Sequence, residues 1–342
     1  MSYVTVEKMG RAGVIGLDRP KALNALNMEM IEVIASALDD FEADPAVELI
    51  ILRSKSERAF CAGGDMRHIR TLSLAGHYDE AERFFRTEYD LNLRIASYPK
   101  PYVSLIDGIC MGGGLGLSIH GKYSIASERA VFAMPETAIG FLPDVGGSYF
   151  LSRMPYYSGC WMGLTGARVN GLDATTLGLT THFADSQSIQ ALFKDLCDQQ
   201  GSIETLLRVH ASPVHYQSSI LHLVLMTQAF SQETLYSIDQ GLAKMQHTEA
   251  RRAQELMRSN SPRSLQETLS LLKYGRSSSL ETCLKREFEA AQRAIRHPDF
   301  AEGIRSVLVD KDHLPNWQSA HGFQPLASPS STTETYHMSA IS

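Results

Sequence analysis

Short apolar runs with the composition of buried strands alternate with helical stripes through the first half of the chain, and glycine-rich turns mark the joins. Residues 48–53 (ELIILR) lead into the loop SKSERAFCAGGD, and residues 102–106 (YVSLI) end at Asp107-Gly108. The glycine run Gly112 to Gly114 then opens a short helix, and residues 123–126 and 130–133 return to strand. Strands separated by helices require right-handed crossovers, so this pattern predicts an α/β layered core. Before it, residues 3–7 and 14–17 read as two strands around a glycine-containing turn. Asn27 is placed to cap a helix whose apolar stripe is Ile31, Ile34, Leu38 and Phe41, and Asp44-Pro45 stops it.

From about Ser188 to Arg258 the patterns are helical instead. Another helix follows Ser261-Pro262, with proline at the tolerated first position. Ser278 with Glu281 forms a capping-box signature for the next one, whose apolar face is Leu280, Leu284, Phe288, Ala291 and Ile295. A chain of 342 residues suits one large domain with an appended subdomain. We expect a core over residues 1–190, a helical region over 191–320, and a disordered Ser/Thr-rich tail over 321–342.

Several functions are excluded early. A net charge of −6 argues against a general nucleic-acid binder. No stretch approaches the eighteen consecutive apolar residues of a membrane span. The five scattered cysteines contain no C-x-x-C pair, which fits free thiols in a reducing cytosol. The opening MSYVTVEKMGRAGVIGLDRP reads directly as strand, without an apolar or Arg/Ser-rich leader. Both features predict a cytoplasmic location. Gly116-LSIH-Gly121-Lys122 matches a phosphate loop until Tyr123, where Ser or Thr should stand. There is no G-x-S-x-G elbow, and His120 at an apolar helix end reads as a satisfied structural histidine. No spaced ligand cluster calls for a metal. Carboxylates must therefore do most of any chemistry.

Three segments could supply it: AFCAGGDM from Ala59, DGICMGGGLGLS from Asp107, and AMPETAIGFLPDVGG from Ala133. The first two are turns between a strand and a helix. Unpaired N–H groups at a helix start, approached past glycine, would make a two-donor oxyanion hole, although each turn alone could be merely tight. In the third, Gly140 and Pro143 oppose a continuous helix, and the bend could bring Glu136 and Asp144 to one site. Glu88 shares a helical stripe with Ala81, Phe84, Leu91 and Ile95. It is either a buried, functional carboxylate or one at the stripe's edge that reaches solvent.

These segments, with KPYVSLIDGICMGGGLGLSIHGKY, FAMPETAIGFLPDVGGSYFL and the late FAEGIRSVLVDKD, resemble the crotonase (enoyl-CoA hydratase/isomerase) superfamily from about Val4 to Asp312. The resemblance implies a crotonase-like spiral of ββα units with a C-terminal helical subdomain. It also implies an acyl-CoA thioester substrate, with coenzyme A as part of the substrate and no separate cofactor. The oxyanion donors would be the N–H groups of Gly64 and Gly113. Lys21, Ala22 and Leu23 would belong to the coenzyme A site, and Ala62 and Asp65 would also bind substrate. The superfamily's hydrolase branch would use Glu136 and Asp144, with Glu88 touching substrate. True hydratases carry a second glutamate two residues after the glycine run, and Gly116 stands there instead. The implied activity is hydrolysis of 3-hydroxyisobutyryl-CoA, and of 3-hydroxypropionyl-CoA, in valine breakdown. An enoyl-CoA hydratase or isomerase and a non-catalytic acyl-CoA-binding protein are the alternatives. The expected partner is the small thioester itself, with no nucleic acid or membrane, and with room for a homo-oligomer. Lys55 and Arg58 are candidates to meet the coenzyme A phosphates.

Overall fold

The computed structural model describes residues 3–198, 201–213 and 227–318. Strands β1 (Val4–Met9) and β2 (Ala12–Leu17) form an antiparallel hairpin. Helix α1 (Met28–Ala43) follows, and the Asn27 side chain accepts from the Met30 N–H as its cap.

A repeated unit then builds the core. Strand β3 (Leu49–Ser54) is followed by β4 (Ala59–Cys61) and by helices α2 (Met66–Leu74) and α3 (Tyr78–Ala96). Strand β5 (Tyr102–Ile106) is followed by β6 (Ile109–Met111) and α4 (Gly113–Ser118). Strands β7 (Tyr123–Ala126) and β8 (Val131–Ala133) repeat the pair. The first strand of each unit enters a six-stranded sheet of order β1-β2-β3-β5-β7-β10, where β9 is Val169–Asn170 and β10 is His182–Phe183. The second strand enters a four-stranded sheet of order β4-β6-β8-β9. Parallel pairing from β2 through β10 turns these units into a spiral of ββα repeats. The residues after Lys122 are therefore strand, which removes the phosphate-loop reading.

Both faces of the large sheet are covered over its central strands, which is why β2, β3, β5 and β7 are mostly buried without alternating, while the edge strand β1 is largely exposed. Ile15, Leu17, Ile50 and Leu52 face one core with α1 and α3. Val14, Leu49, Ile51, Val103 and Ile125 face helices over Ser186–Asp198 and Ile203–His210. These two helices complete the sheet's second layer, so the core extends past residue 190, which lies inside the first of them.

Beyond it, Leu235–Ala243, Thr248–Ser259 and Pro262–Gly275 gather a third apolar cluster with Leu164 and Phe230. Leu280–Ala294 packs back against α3, and Pro298–Ile304 packs on the turn Glu136–Ile139. The cap of Leu280–Ala294 is Ser279, whose side chain accepts from the Thr282 N–H, one position later than the Ser278–Glu281 spacing indicates. Ser278 instead donates its hydroxyl to the Tyr274 carbonyl of the preceding helix. The expected tail over 321–342 and part of the helical stretch, 214–226, lie outside the described residues. Among the described residues no helix is long and apolar enough to cross a membrane.

Candidate active site

The two glycine turns meet. Gly63, two residues past β4, has φ +103°, and Gly112, directly after β6, has φ +49°, both conformations that favour glycine. Gly64 precedes Asp65, the N-cap of α2, while Gly113 is the first residue of α4. A Cβ on Gly113 would lie 3.4 Å from the Gly64 nitrogen, and one on Gly63 would lie 3.6 Å from the Gly113 nitrogen. Among the described residues, neither of these two N–H groups donates a hydrogen bond. Two unpaired donors side by side at helix starts are what a developing oxyanion requires.

The facing wall is made of carboxylates. Glu88 is 2% exposed on α3, so its stripe position is truly buried rather than at the edge. Glu136 begins the single 3-10 turn Glu136–Ile139, which Gly140 at φ +70° ends. The segment does bend: the Phe141 N–H returns to the Glu136 carbonyl at 3.0 Å. Phe141 then stacks on Phe85 at 5.2 Å and packs against Phe300. That bend brings Asp144 back to α3, where the Tyr89 hydroxyl donates to its Oδ2 at 2.7 Å. Glu136 Oε1 is 2.7 Å from where a Cβ on Gly112 would project, and Glu88 reaches the corresponding space at Gly113. Only glycine fits either place.

Crowding three carboxyl groups into one buried space opposes their ionisation. Burial pushes Glu136 well above the usual carboxylate range, and the nearby Asp144 and Glu88 push it further. Glu88 is raised in the same direction by burial and by Asp144. Asp144 is raised to about 7 by burial, against the hydrogen bond from Tyr89. Glu136 Oε2 and Glu88 Oε1 are buried without a hydrogen-bond partner, as are both amide atoms of fully buried Asn92. These are the atoms free to meet a substrate or water.

The remaining expected residues lie in the segments around the first glycine turn. Lys21 and Ala22 lie in the short turn Pro20–Ala22, and Leu23 follows in a left-handed conformation. The Ala62 N–H donates to the Leu23 carbonyl at 3.0 Å, which ties this segment to the first glycine turn. Asp65 pairs with Arg19 at 2.9 Å. Buried Asn24 donates to Ser54 Oγ and to the Phe60 carbonyl, and accepts from the Arg19 N–H, so it pins the same loop. Sequence reasoning passed over Asn24, Tyr89 and Asn92. Tyr89 and Asn92 sit beside and one turn beyond Glu88, where a polar residue on a buried face was the available signal. Lys55 is exposed and pairs with Glu7 at 3.3 Å, while Arg58 is exposed. A cavity of about 610 Å³ between Trp161 and the helix Thr248–Ser259 is lined by none of Glu88, Glu136 and Asp144.

The chain is 41% identical over 327 residues to the mitochondrial 3-hydroxyisobutyryl-CoA hydrolase of Danio rerio, covering 93% of this chain and 85% of that protein. It is 42% identical over 319 residues to the mitochondrial enzyme of the same name from Xenopus tropicalis, covering 91% and 83%. A solved carnitinyl-CoA dehydratase from Mycobacterium thermoresistibile superposes with a TM-score of 0.88 at 35% identity, covering 94% of this chain and 93% of that one. The expected cytoplasmic location is overturned by the hydrolase relatives, which are mitochondrial. Unpaired cysteines indicate a reducing compartment, and that property does not single out the cytosol. The enoyl-CoA hydratase/isomerase family model matches residues 12–324, and the chain belongs to that family, the crotonase superfamily.

Proposed function

We propose that this protein hydrolyses 3-hydroxyisobutyryl-CoA to the free hydroxy acid and coenzyme A, and acts also on 3-hydroxypropionyl-CoA, as a step of valine breakdown. The likeness to hydrolases over more than nine-tenths of the chain supports the reaction class. The observation that carries the chemistry is buried Glu136, with Oε1 against Gly112 and Oε2 without a hydrogen-bond partner, next to the turn that brings the Gly64 and Gly113 nitrogens together.

In this reading the thioester oxygen sits between those two N–H groups. Removing one such donor costs about 2.7–4 kcal/mol of activation free energy. Glu136, once ionised, attacks the carbonyl carbon, expels the thiolate and leaves a mixed anhydride that water cleaves; alternatively it takes a proton from the attacking water. Label from isotopic water appearing in Glu136 after a single turnover selects the anhydride; where water cleaves at the substrate carbon both routes label the product acid, and hydroxylamine trapping of a glutamyl hydroxamate at Glu136 then separates them. Glu88 and Asp144 meet the 3-hydroxyl, and a site built for that hydroxyl rejects the thioester lacking it. Lys21, Ala22, Leu23, Ala62 and Asp65 hold the coenzyme A portion. By the same likeness we place the protein in mitochondria. A homo-oligomer fits the superfamily resemblance, and sedimentation reads it directly.

Hydration of a double bond is less well supported. The position for a second glutamate is Gly116, and a Cβ there would meet Val145 at 2.7 Å and the Asn92 amide at 2.8 Å. Thiol release from 3-hydroxyisobutyryl-CoA, isobutyryl-CoA and crotonyl-CoA is the deciding assay. Fast release from the hydroxylated thioester is the expected result. Loss of the crotonyl double bond without thiol release would overturn the proposal.

A further inference from the structure

The helix Leu280–Ala294 carries one more buried carboxylate to the edge of the site, and the reaction above does not use it. Glu287 is 0% exposed. Its Oε2 accepts the Gly146 N–H at 2.7 Å, and its Oε1 accepts the Ser148 N–H at 2.8 Å together with the Ser148 hydroxyl. Burial raises the Glu287 pKa to about 7, while the three donors converging on its carboxyl favour the ionised form. On the other side of the same loop, His120 Nε2 lies 2.7 Å from the Val145 carbonyl oxygen. A carbonyl only accepts, so that nitrogen carries the proton, and burial lowers the ring's pKa and keeps it neutral. His120 directly follows the oxyanion helix α4 and its cap Ile119.

The Val145 carbonyl and the Gly146 N–H belong to one peptide unit, and the residues on either side of it are both left-handed, Val145 at φ +51° and Gly146 at φ +84°. For a β-branched residue this conformation is strained, and it persists only where the surroundings impose it. Asp144 is the residue immediately before the strained pair.

We propose that Glu287 is a positioning residue, which with His120 clamps the backbone after Asp144 and so aims the Asp144 carboxyl at the substrate's 3-hydroxyl. This deepens the proposed function and rests on it, because it requires Asp144 to meet that hydroxyl. The clamp also has an electrostatic side. Asp144 is faced by Tyr89 and Glu88 from α3, by Glu136 from its turn and by Glu287 from the C-terminal helix. Glu287 is faced in turn by Cys283 on its own helix, with Arg153 and Arg286 acting on that thiol, and by His120 across Gly146. The Glu287 charge opposes ionisation of Asp144, so removing it lets Asp144 lose its proton at lower pH.

The test uses the full chain and compares Glu287→Gln, Ser148→Ala and Asp144→Asn with the unmodified protein. The readouts are kcat/KM for 3-hydroxyisobutyryl-CoA and for isobutyryl-CoA across pH, with circular dichroism to check folding. Glu287→Gln is expected to cut the preference for the hydroxylated thioester at least roughly tenfold, and to move the Asp144 limb of the profile acidward by roughly one unit. Ser148→Ala removes one of the donors that favour the Glu287 charge and loosens the grip, so it should reduce the preference severalfold and move the limb acidward by less than Glu287→Gln does. It also carries the test if Glu287→Gln does not fold. An unchanged preference in the folded clamp variants, with the preference lost in Asp144→Asn, overturns this inference alone. No preference in the unmodified protein, or one that survives Asp144→Asn, overturns the inference and the hydroxyl-binding reading together.

Discussion

The wall proposed to bind the thioester oxygen is made of backbone, while the wall opposite is made of side chains. Gly64 and Gly113 each lie just beyond a short strand and at or near a helix start, and their neighbours in sequence hold them there. Such donors are neutral and already oriented, and their structural requirement is that no Cβ intrude. Glu88, Glu136 and Asp144 come from a helix, a 3-10 turn and a loop, and their supports are remote: Glu287 lies 141 positions from the Gly146 N–H it binds. Each of these carboxyls has its charged form disfavoured by burial and by its neighbours. The first wall is cheap to build and local. The second concentrates both the reactivity and the instability of the site.

Glu136→Gln breaks the second wall most directly. It preserves shape, removes the nucleophile or base, and should lower turnover by about 10²–10⁴-fold with coenzyme A thioester binding retained by calorimetry. Turnover near that of the unmodified protein would move the chemistry to Glu88 or Asp144. The first wall is tested by two changes at Gly113. Gly113→Ala keeps the N–H but crowds Glu88, whereas Gly113→Pro deletes the donor at a helix position that tolerates proline. The proline variant should therefore fall about 10²–10³-fold below the alanine variant in kcat, provided both fold by circular dichroism. Equal losses in the two would mean that crowding of Glu88, and not the missing donor, explains the effect.

Glu136→Gln also sharpens the comparison through stability. The folded-state pKa of Glu136 is raised, so between its unfolded value near 4.5 and that raised value the unfolded chain binds fewer protons than the folded one. Rising pH through this window therefore destabilises the fold, and below it both states are protonated and nothing is lost. The glutamine variant should melt a few degrees higher than the unmodified protein at pH 8, with the gap closing by pH 4. A gap of the same size at both pH values would mean that the gain comes from packing rather than from the charge.

The same division governs what could be read in advance. Strands β3, β5 and β7, the Asn27 cap and both oxyanion turns rest on neighbouring residues, and their signals lie within a few positions. Glu88 was half legible, because its stripe marked the face while only the packed structure decides whether that face is buried. The meeting of Glu136 with Asp144 was not legible. It depends on left-handed Val145, on the Phe85–Phe141 stack and on Glu287, contacts that no local pattern encodes. Glu287 did leave a trace: it falls in the stripe between Leu284 and Ala291, the same signal that singled out Glu88.

The smallest effect concerns how far the carboxylate wall's support extends. Ser279 caps the helix that carries Glu287, two turns before it, by accepting from the Thr282 N–H. Loss of such a cap costs about 1 kcal/mol. If fraying stops within the first turn, as expected for a helix packed against α3, Ser279→Ala lowers the unfolding free energy by that amount, read as a lower urea midpoint. The preference for the hydroxylated thioester then stays intact, and Ser278→Ala, one residue away, changes the midpoint far less because it removes no cap. A Ser279→Ala protein that kept its midpoint would return the cap to Ser278. One that lost hydroxyl preference would show that the clamp on Asp144 draws its rigidity from the whole helix rather than from the three bonds to Glu287.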